Sequence, residues 1–272
     1  MQPKEWVKAQ IGVWKVFYEK RDVREKETHP ATMPIALAKK AVELFTHKGE
    51  LVLDPFNGIG TTLIACRDLK RNAIGFDISE QYCNFAKQRL EAEQSHNETK
   101  HLVICDDAEG ISSYLENDSV SLIFTSPPYA NLLNRKRTNK SRRGSERKND
   151  QYLKVEQYSQ DPRDLGTLSA EDYQDRLRSI YGKLLPVTKP GGHVVINVPD
   201  MWWKNANHGE RVPLHIFVYH ALTDAGYKLR NTIIWDRTNI VNRIGIFGWP
   251  SNYITMGTTF EYLLDFWKQP AA

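Results

Sequence analysis

Short apolar runs alternate along this chain with longer segments of helix-forming composition. The apolar runs predict buried strands at residues 51–53, 73–76, 101–105, 122–124, 193–198, 232–235 and 262–266. The longer segments predict helices at residues 61–70, 79–93, 170–185 and 214–225. Strands that alternate with helices indicate the α/β class, with a mostly parallel sheet of seven strands and helices on both of its faces.

The first 28 residues do not follow this alternation. Their apolar side chains include Trp6, Ile11, Val13, Trp14 and Phe17, which we interpret as the buried stripe of an amphipathic helix. The pattern therefore predicts a helical extension over residues 1–28, followed by a single domain over residues 29–272.

Composition narrows the class of protein. A chain of 272 residues with 40% hydrophobic residues can bury a sizeable core. The three cysteines have no paired spacing and are odd in number, which argues against a disulfide framework or a zinc site. Charged residues interrupt the apolar ones near the start, and no apolar run approaches membrane-spanning length. We therefore expect a cytoplasmic globular protein that is not bound to a membrane.

The net charge of +4 is unevenly distributed. The segment 135–148, RKRTNKSRRGSERK, holds eight Lys or Arg against one Glu, a balance of +7, so the rest of the chain carries −3. A polar run of this charge cannot bury itself, and it attracts polyanions such as nucleic acids. An isolated basic run is equally compatible with a solvated tether. Its position close behind the loop 125–129 favours nucleic acid.

The segment 54–62, DPFNGIGTT, joins a predicted strand to a predicted helix. Its two glycines allow a tight turn and a close approach of backbone to a ligand, and Thr61 or Thr62 can cap the helix. Asp77 ends the next strand, where a carboxylate can accept hydrogen bonds from both ribose hydroxyls of an adenosine. An ordinary turn with a helix-capping Asp is the alternative. Because the loop lacks the lysine and third glycine of pyrophosphate-binding loops, S-adenosylmethionine fits it best.

A second loop, Thr125-Ser126-Pro127-Pro128-Tyr129, follows an apolar strand-like run. In open α/β sheets, ligands bind at the carboxyl ends of strands, where this loop is expected to lie. Two prolines fix its backbone, and it supplies one hydroxyl and one aromatic ring. Read alone, it is equally compatible with a rigid surface turn.

Taken together, DPFNGIGTT, Asp77, Asp106-Asp107-Ala108 and TSPPY resemble the amino-methyltransferases of DNA, which modify cytosine N4 or adenine N6. The resemblance extends over residues 29–268. It implies a Rossmann-like fold that binds S-adenosylmethionine. Here the cofactor motif precedes the catalytic motif, whereas many members with SPPY loops have the opposite order, so the chain looks circularly permuted.

The resemblance also implies roles for individual residues. The cofactor would be held by His29, Thr32, Asp54, Phe56, Gly58, Gly60, Thr61, Thr62, Asp77 and Asp107 (or Asp106). The catalytic loop would use Ser126, Pro127 and Tyr129. The chain departs from the family pattern at Asn57 and Ile59, which replace small residues, and at Phe260, where a His is common.

The expected chemistry follows from a target amine whose lone pair is delocalised into the base. The Ser126 hydroxyl and the Pro127 carbonyl would accept its N–H bonds, and Tyr129 would stack on a base flipped out of the duplex. Neither a metal nor a covalent cysteine intermediate is required. Serine at position 126 favours cytosine N4 over adenine N6 by resemblance.

The insertion 131–168 is the expected DNA-contacting segment. Its basic side chains would bind phosphates, and the same segment contains Tyr152, Tyr158, Arg163 and Asp164; the predicted DNA-binding residues are Arg135, Lys136, Arg137, Lys140, Arg142 and Arg143. Residues 239–259 are a second candidate. The expected partners are double-stranded DNA and, if one exists, a cognate restriction endonuclease. An RNA base methyltransferase and a catalytically silent nucleic-acid-binding homologue remain as alternatives.

Overall fold

The structure is a computed structural model that describes residues 3–23, 29, 32–92, 99–133, 161–204, 209–239 and 258–270. Six α-helices are described: α1 Pro3–Ala9, α2 Ile35–Phe45, α3 Thr61–Asp68, α4 Glu80–Ala92, α5 Ala170–Leu184 and α6 Leu214–Asp224. The strands are β1 Val13–Lys15, β2 Leu51–Asp54, β3 Asn72–Asp77, β4 His101–Cys105, β5 Val120–Thr125, β6 Thr188–Val198, β7 Met201–Lys204, β8 Gly209–Val212, β9 Lys228–Asp236 and β10 Phe260–Trp267.

The main sheet has the strand order β1-β9-β10-β6-β5-β2-β3-β4. Strands β2 to β6 are parallel to one another, and β10 runs antiparallel between β6 and β9. This confirms the predicted α/β class and the mostly parallel sheet. Because β2 to β5 point the same way, the loops that follow them meet at one edge, where open α/β sheets bind ligands.

The described part of the sheet has eight strands, not the predicted seven, and the additional strand lies in the amino-terminal segment. Strand β1 pairs in parallel with β9, with Trp14 opposite Trp235. Trp14 is 1% exposed and belongs to the core. Among the described residues of the segment 1–28, helix is limited to α1. Across the predicted boundary at residue 28, Asp22 accepts a hydrogen bond from Ile35 N at 2.8 Å.

Two apolar cores lie on the two faces of the sheet, because successive strand residues point to opposite faces. Helices α2 and α3 pack on one face through residues such as Leu37 and Leu63. Helices α5 and α6 pack on the other through residues such as Leu177 and Leu222. The strands between these layers read as continuous apolar runs, as expected for a sheet covered on both sides. The sheet edge that carries the loops is thereby held by two independent cores.

Two elements had no counterpart among the predicted ones. Helix α2 follows Pro34, which is its N-cap residue, and β7 and β8 form a separate antiparallel hairpin. Within the described ranges, none of the helices combines the length and apolar character needed to cross a lipid bilayer.

Candidate active site

A cavity opens at the carboxyl ends of β2, β3, β4 and β5. It is bounded by the loop after β2, the start of α4, the turn after β4 and the loop after β5. The predicted site residues that line it are His29, Thr32, Asp54, Phe56, Gly58, Thr61, Asp77, Asp107 and Ser126. Residues from both predicted motifs therefore share one cavity.

Asp54 organises the floor of this cavity. Its carboxylate accepts hydrogen bonds from Thr62 Oγ1 at 2.5 Å, Thr125 Oγ1 at 2.6 Å and Phe56 N at 3.1 Å. Burial raises the pKa of Asp54 to about 6, against the opposing effect of the two hydroxyls. Asp54 thus links the segment 54–62, which we call the cofactor loop, to the end of β5. Thr62 serves this bond and does not line the cavity.

The two loop glycines have different roles. Gly58 has a φ of +49°, and a Cβ there would lie 3.0 Å from His29 Nε2. The imidazole ring of His29 therefore packs closely against the backbone of Gly58. Gly60 has a φ of +80°, and a Cβ there would lie 3.0 Å from Ala86 Cβ in α4. Gly60 is therefore needed for helix packing. It is also the N-cap residue of α3, which has no side-chain cap, so neither Thr61 nor Thr62 caps this helix as predicted.

Asp77 links the cofactor loop to the end of β3. One carboxylate oxygen accepts from Gly58 N at 2.8 Å and the other from Ser79 N at 2.9 Å. Each oxygen keeps a lone pair for a ligand in the cavity. Burial raises the pKa of Asp77 to about 6, and the charges of Asp164 and Asp54 add to the effect.

Asp106 and Asp107 have different surroundings in the structure, and only one of them lines the cavity. Asp107 lines the cavity, and its carboxylate accepts from Arg176 Nη2 at 3.0 Å and from Glu109 N at 3.0 Å. Asp106 accepts from Tyr114 Oη at 2.6 Å and does not line the cavity. Of the two carboxylates predicted as alternatives for holding the cofactor, Asp107 is the one that lines the cavity.

The catalytic loop presents one hydroxyl to the cavity. Ser126 is half-buried and lines the wall, whereas Pro127 is buried and does not. Ser126 Oγ lies 3.1 Å from Tyr129 Oη, in a hydrogen bond that either hydroxyl can donate. Tyr129 is 7% exposed, and its ring belongs to the apolar core. Burial raises the pKa of Tyr129 well above its usual value, so the phenol is protonated at neutral pH.

Several wall residues were not predicted for this role. Ile78, Ser79 and Tyr82 come from the loop after β3 and the start of α4, and Tyr82 faces His29 with ring centroids 4.8 Å apart. The strand end before α4 was the available signal for these positions. Arg163, Asp164 and Leu165 also line the cavity, although the first two were assigned to DNA contact as part of the insertion. Distance along the chain gave no signal for them.

The predicted DNA-binding residues Arg135, Lys136, Arg137, Lys140, Arg142 and Arg143 lie outside the described residues, as do Tyr152, Tyr158 and most of residues 239–259. Their assignment stays a prediction.

The donor set of the cavity suits a cationic adenosine cofactor. Four carboxylates line it, from Asp54, Asp77, Asp107 and Asp164, together with the cation of Arg163. Apolar side chains such as Ile78 and Leu165 lie beside them and can cover a flat ring. S-adenosylmethionine combines a purine, a ribose and a positively charged sulfonium, so the residues present fit it.

Among protein families, the chain matches the model of the N6/N4 methyltransferases, which is described as DNA methylase. The match covers residues 2–88 and 120–272. Among curated proteins, the chain is 36% identical over 82 residues to the type II methyltransferase M.HpaI of Haemophilus parainfluenzae, which is 30% of this chain and 26% of that protein. The curated relatives that it matches are covered over about a quarter to a third of their own lengths.

Solved structures show the same fold at low sequence identity. TrmN from Thermus thermophilus superposes with a TM-score of 0.53 and 14% identity, covering 90% of this chain and 52% of that one. An S-adenosylmethionine-dependent methyltransferase from Methanosarcina mazei gives a TM-score of 0.52 and 8% identity, covering 85% and 98%. The sheet is thus arranged as in methyltransferases that use this cofactor.

Proposed function

This chain belongs to the N6/N4 family of DNA methylases, and we propose that it transfers a methyl group from S-adenosylmethionine to the exocyclic N4 amine of cytosine in DNA. S-adenosylmethionine is the cofactor of this family and, when bound, supplies an electrophilic methyl group. His29, Thr32, Phe56, Gly58, Thr61, Asp77 and Asp107 would hold it.

The observation that supports this proposal most is the position of Ser126. Its hydroxyl lies in the wall of the cavity that also contains Asp77 and Asp107. A substrate amine that enters beside Ser126 would therefore lie next to the methyl group of a cofactor held by those carboxylates. Holding the two reactants in this geometry is the main source of rate for a transfer that needs no covalent intermediate.

The chain's own contribution to the chemistry is to localise the lone pair of the amine. Ser126 Oγ and the carbonyl oxygen of Pro127 would accept the two amine N–H bonds, which favours a tetrahedral nitrogen with its lone pair directed at the methyl group. When Ser126 donates its own proton to Tyr129 Oη, both lone pairs of Ser126 Oγ remain available. After transfer, the nitrogen loses one proton to restore the neutral amine.

We assign Tyr129 a positioning role in place of the predicted stacking role. Stacking on a base requires an open ring face, and this ring lies in the apolar core. Its hydroxyl instead fixes the Ser126 side chain. A flipped base would then stack on other groups near the loop.

Cytosine is proposed over adenine because a neutral hydroxyl stands at the head of the loop, where the adenine class mostly has a carboxylate. The base would leave the duplex at a cost of about a few kcal/mol, offset by contacts in the site. The basic residues at 135–143 would bind the phosphates of double-stranded DNA, and a cognate endonuclease is a partner to be tested.

The test is methylation of a plasmid from a methylation-deficient host, followed by nucleoside analysis. The proposal predicts N4-methylcytosine at a defined sequence, with structured RNA left unmodified. N6-methyladenine would overturn the base assignment while leaving the family intact, and methylation of RNA alone would overturn the substrate. Ser126→Ala, purified in the same way, is the matched control for contaminating methylases.

A further inference from the structure

The turn that ends the insertion lies against the cofactor cavity. Asn131, just after the catalytic loop, donates its N–H to Leu168 O at 3.0 Å, which joins the two ends of the insertion. Between these ends, Arg163, Asp164 and Leu165 enter the cavity wall. Leu165 is 3% exposed and packs in the core, so the turn is firmly anchored.

Asp164 is the unusual member of this turn. It is 4% exposed. One oxygen, Oδ1, accepts from Gly166 N at 2.7 Å, and no described residue donates a hydrogen bond to the other oxygen. No Lys, Arg or His among the described residues forms an ion pair with it either, and burial raises its pKa. A buried carboxylate without a cation is costly unless something else compensates it.

Capping alone does not account for an aspartate here. Asp164 is the N-cap residue of the short turn Leu165–Thr167, and the hydrogen bond of Oδ1 to Gly166 satisfies that role. Serine or asparagine caps about as well without a buried charge. The turn therefore does not require the second carboxylate oxygen, Oδ2. Because Asp164 lines the cavity, this oxygen is available to a ligand bound there.

The other carboxylates of the cavity differ in this respect. Asp107 is paired with Arg176 at 3.0 Å, and Asp54 is occupied by two hydroxyls. Among the described residues, the donors to Asp77 are all backbone N–H groups, and the charge of Asp164 helps to raise the pKa of Asp77. Asp77 and Asp164 are thus negative groups of one cavity that no described cation neutralises.

We propose that Asp164 is a cofactor-binding residue that recognises the positive charge of S-adenosylmethionine. Binding of a cation offsets the cost of holding two carboxylates without a cation in one cavity. The product, S-adenosylhomocysteine, has lost the sulfonium charge and gains less from them. Asp164 therefore favours cofactor over product, and it does so from the segment whose preceding residues are proposed to bind DNA.

The test compares the affinities of the purified protein for S-adenosylmethionine and S-adenosylhomocysteine, measured by calorimetry without DNA. Asp164→Asn keeps an acceptor for Gly166 and removes the charge. We expect its Kd for S-adenosylmethionine to rise about tenfold and that for S-adenosylhomocysteine about twofold, because only S-adenosylmethionine has the sulfonium charge. Asp175→Asn removes an exposed carboxylate, paired with Arg178, and should leave both values unchanged.

Asp164→Ser provides a second capping variant without charge, and melting temperatures show which proteins are folded. A selective loss for S-adenosylmethionine in either folded variant supports the proposal. Unchanged affinities, or equal losses for both ligands, would overturn it and leave Asp164 as a cap of the turn. Because no base is methylated in this assay, the result is independent of whether cytosine is the target.

Discussion

The two halves of the active-site edge handle charge in opposite ways. In the cofactor half, at the ends of β2 to β4, the carboxylates of buried Asp54 and half-buried Asp77 are held by hydroxyls and backbone N–H groups, without a cationic partner among the described residues. In the substrate half, at the ends of β5, β9 and β10, buried Glu261 is paired with Arg237. Nearby Asp200 is likewise bonded to His215 at 2.6 Å.

This difference indicates what each half binds. A cavity with uncompensated negative charge gains most from a positive ligand, as S-adenosylmethionine is. A region whose carboxylates are already paired suits a neutral ligand such as a nucleobase, which is recognised by hydrogen bonds. Ser126 follows β5, which belongs to the substrate half, and its side chain lines the cavity of the cofactor half.

The largest effect is expected from Ser126→Ala, which should lower the rate of methyl transfer while leaving the affinity for the cofactor unchanged. Removing the acceptor for the amine should lower kcat by about 100- to 1000-fold, as for other single groups that act in a transition state. The Kd for S-adenosylmethionine should stay within about twofold, because the Asp77 and Asp107 contacts are intact. Single-turnover methylation and calorimetry measure the two quantities. A comparable loss in cofactor affinity would show that Ser126 belongs to the cofactor half.

Asp77→Asn should have the converse effect. Loss of a carboxylate that faces a cationic ligand costs about 2 kcal/mol, which is a Kd for S-adenosylmethionine raised by about thirtyfold. At saturating cofactor, kcat should change by less than about threefold. Asp106→Asn, which alters a carboxylate outside the cavity, is the matched control. An unchanged Kd would remove Asp77 from the proposed cofactor site.

The cofactor half was accessible to sequence reasoning because its determinants are local. Gly58 and Asp77 stand at the ends of recognisable strands, and a tight strand-to-helix turn needs a residue with positive φ. The structure places both in the cavity wall, with the Gly58 N–H bonded to the Asp77 carboxylate. Parallel strands bring such ends together without any further information.

Features set by long-range packing could not be predicted in the same way. Strand β1 has three residues, too few to show a period, and its strand character depends on pairing with β9. Asp164 reaches the cavity because its turn folds back beside the catalytic loop, which no local pattern records. The burial of Tyr129 likewise depends on helix packing on that face of the sheet. Each of these positions follows from tertiary contacts that a single sequence does not show.

The charge balance of the substrate half can be broken with Arg237→Met. Methionine removes the guanidinium group, whose central carbon lies 5.0 Å from the centroid of the Trp235 ring, and leaves Glu261 buried without this cation. Removing one partner of a buried pair costs about 3–5 kcal/mol, and the partial exposure of Arg237 reduces the expected loss to about 1.5 kcal/mol. Urea unfolding measures it. Adding Glu261→Gln should recover part of the loss, and cofactor affinity should not change.

The smallest effect concerns pH and acts in opposite directions on folding and binding. The pKa values of Asp54 and Asp77 are raised to about 6 in the folded protein, so the folded state takes up protons that the unfolded state does not. Their contribution to stability is therefore lost as pH rises through 6 and regained as pH falls from 7.5 to 5.5. His101, whose pKa is lowered by burial, opposes this gain. Asp77→Asn removes the contribution of Asp77 alone, and its difference from the wild type in urea unfolding isolates that contribution.

Over the same interval, protonation of these carboxylates removes the negative charge that attracts the cofactor. The groups that face them are Asp107, Asp164, Arg163 and His29 in the cavity wall, with Arg176 behind Asp107. We expect the Kd for S-adenosylmethionine to rise about fivefold between pH 7.5 and 5.5, while that for S-adenosylhomocysteine changes by less than about twofold. Equal changes for both ligands would mean that protonation alters the shape of the cavity and not its charge. A rise in Kd confined to S-adenosylmethionine would establish that the cofactor half binds its ligand through the negative charge of these carboxylates. Protonation of the same carboxylates, which removes that charge, stabilises the protein without ligand.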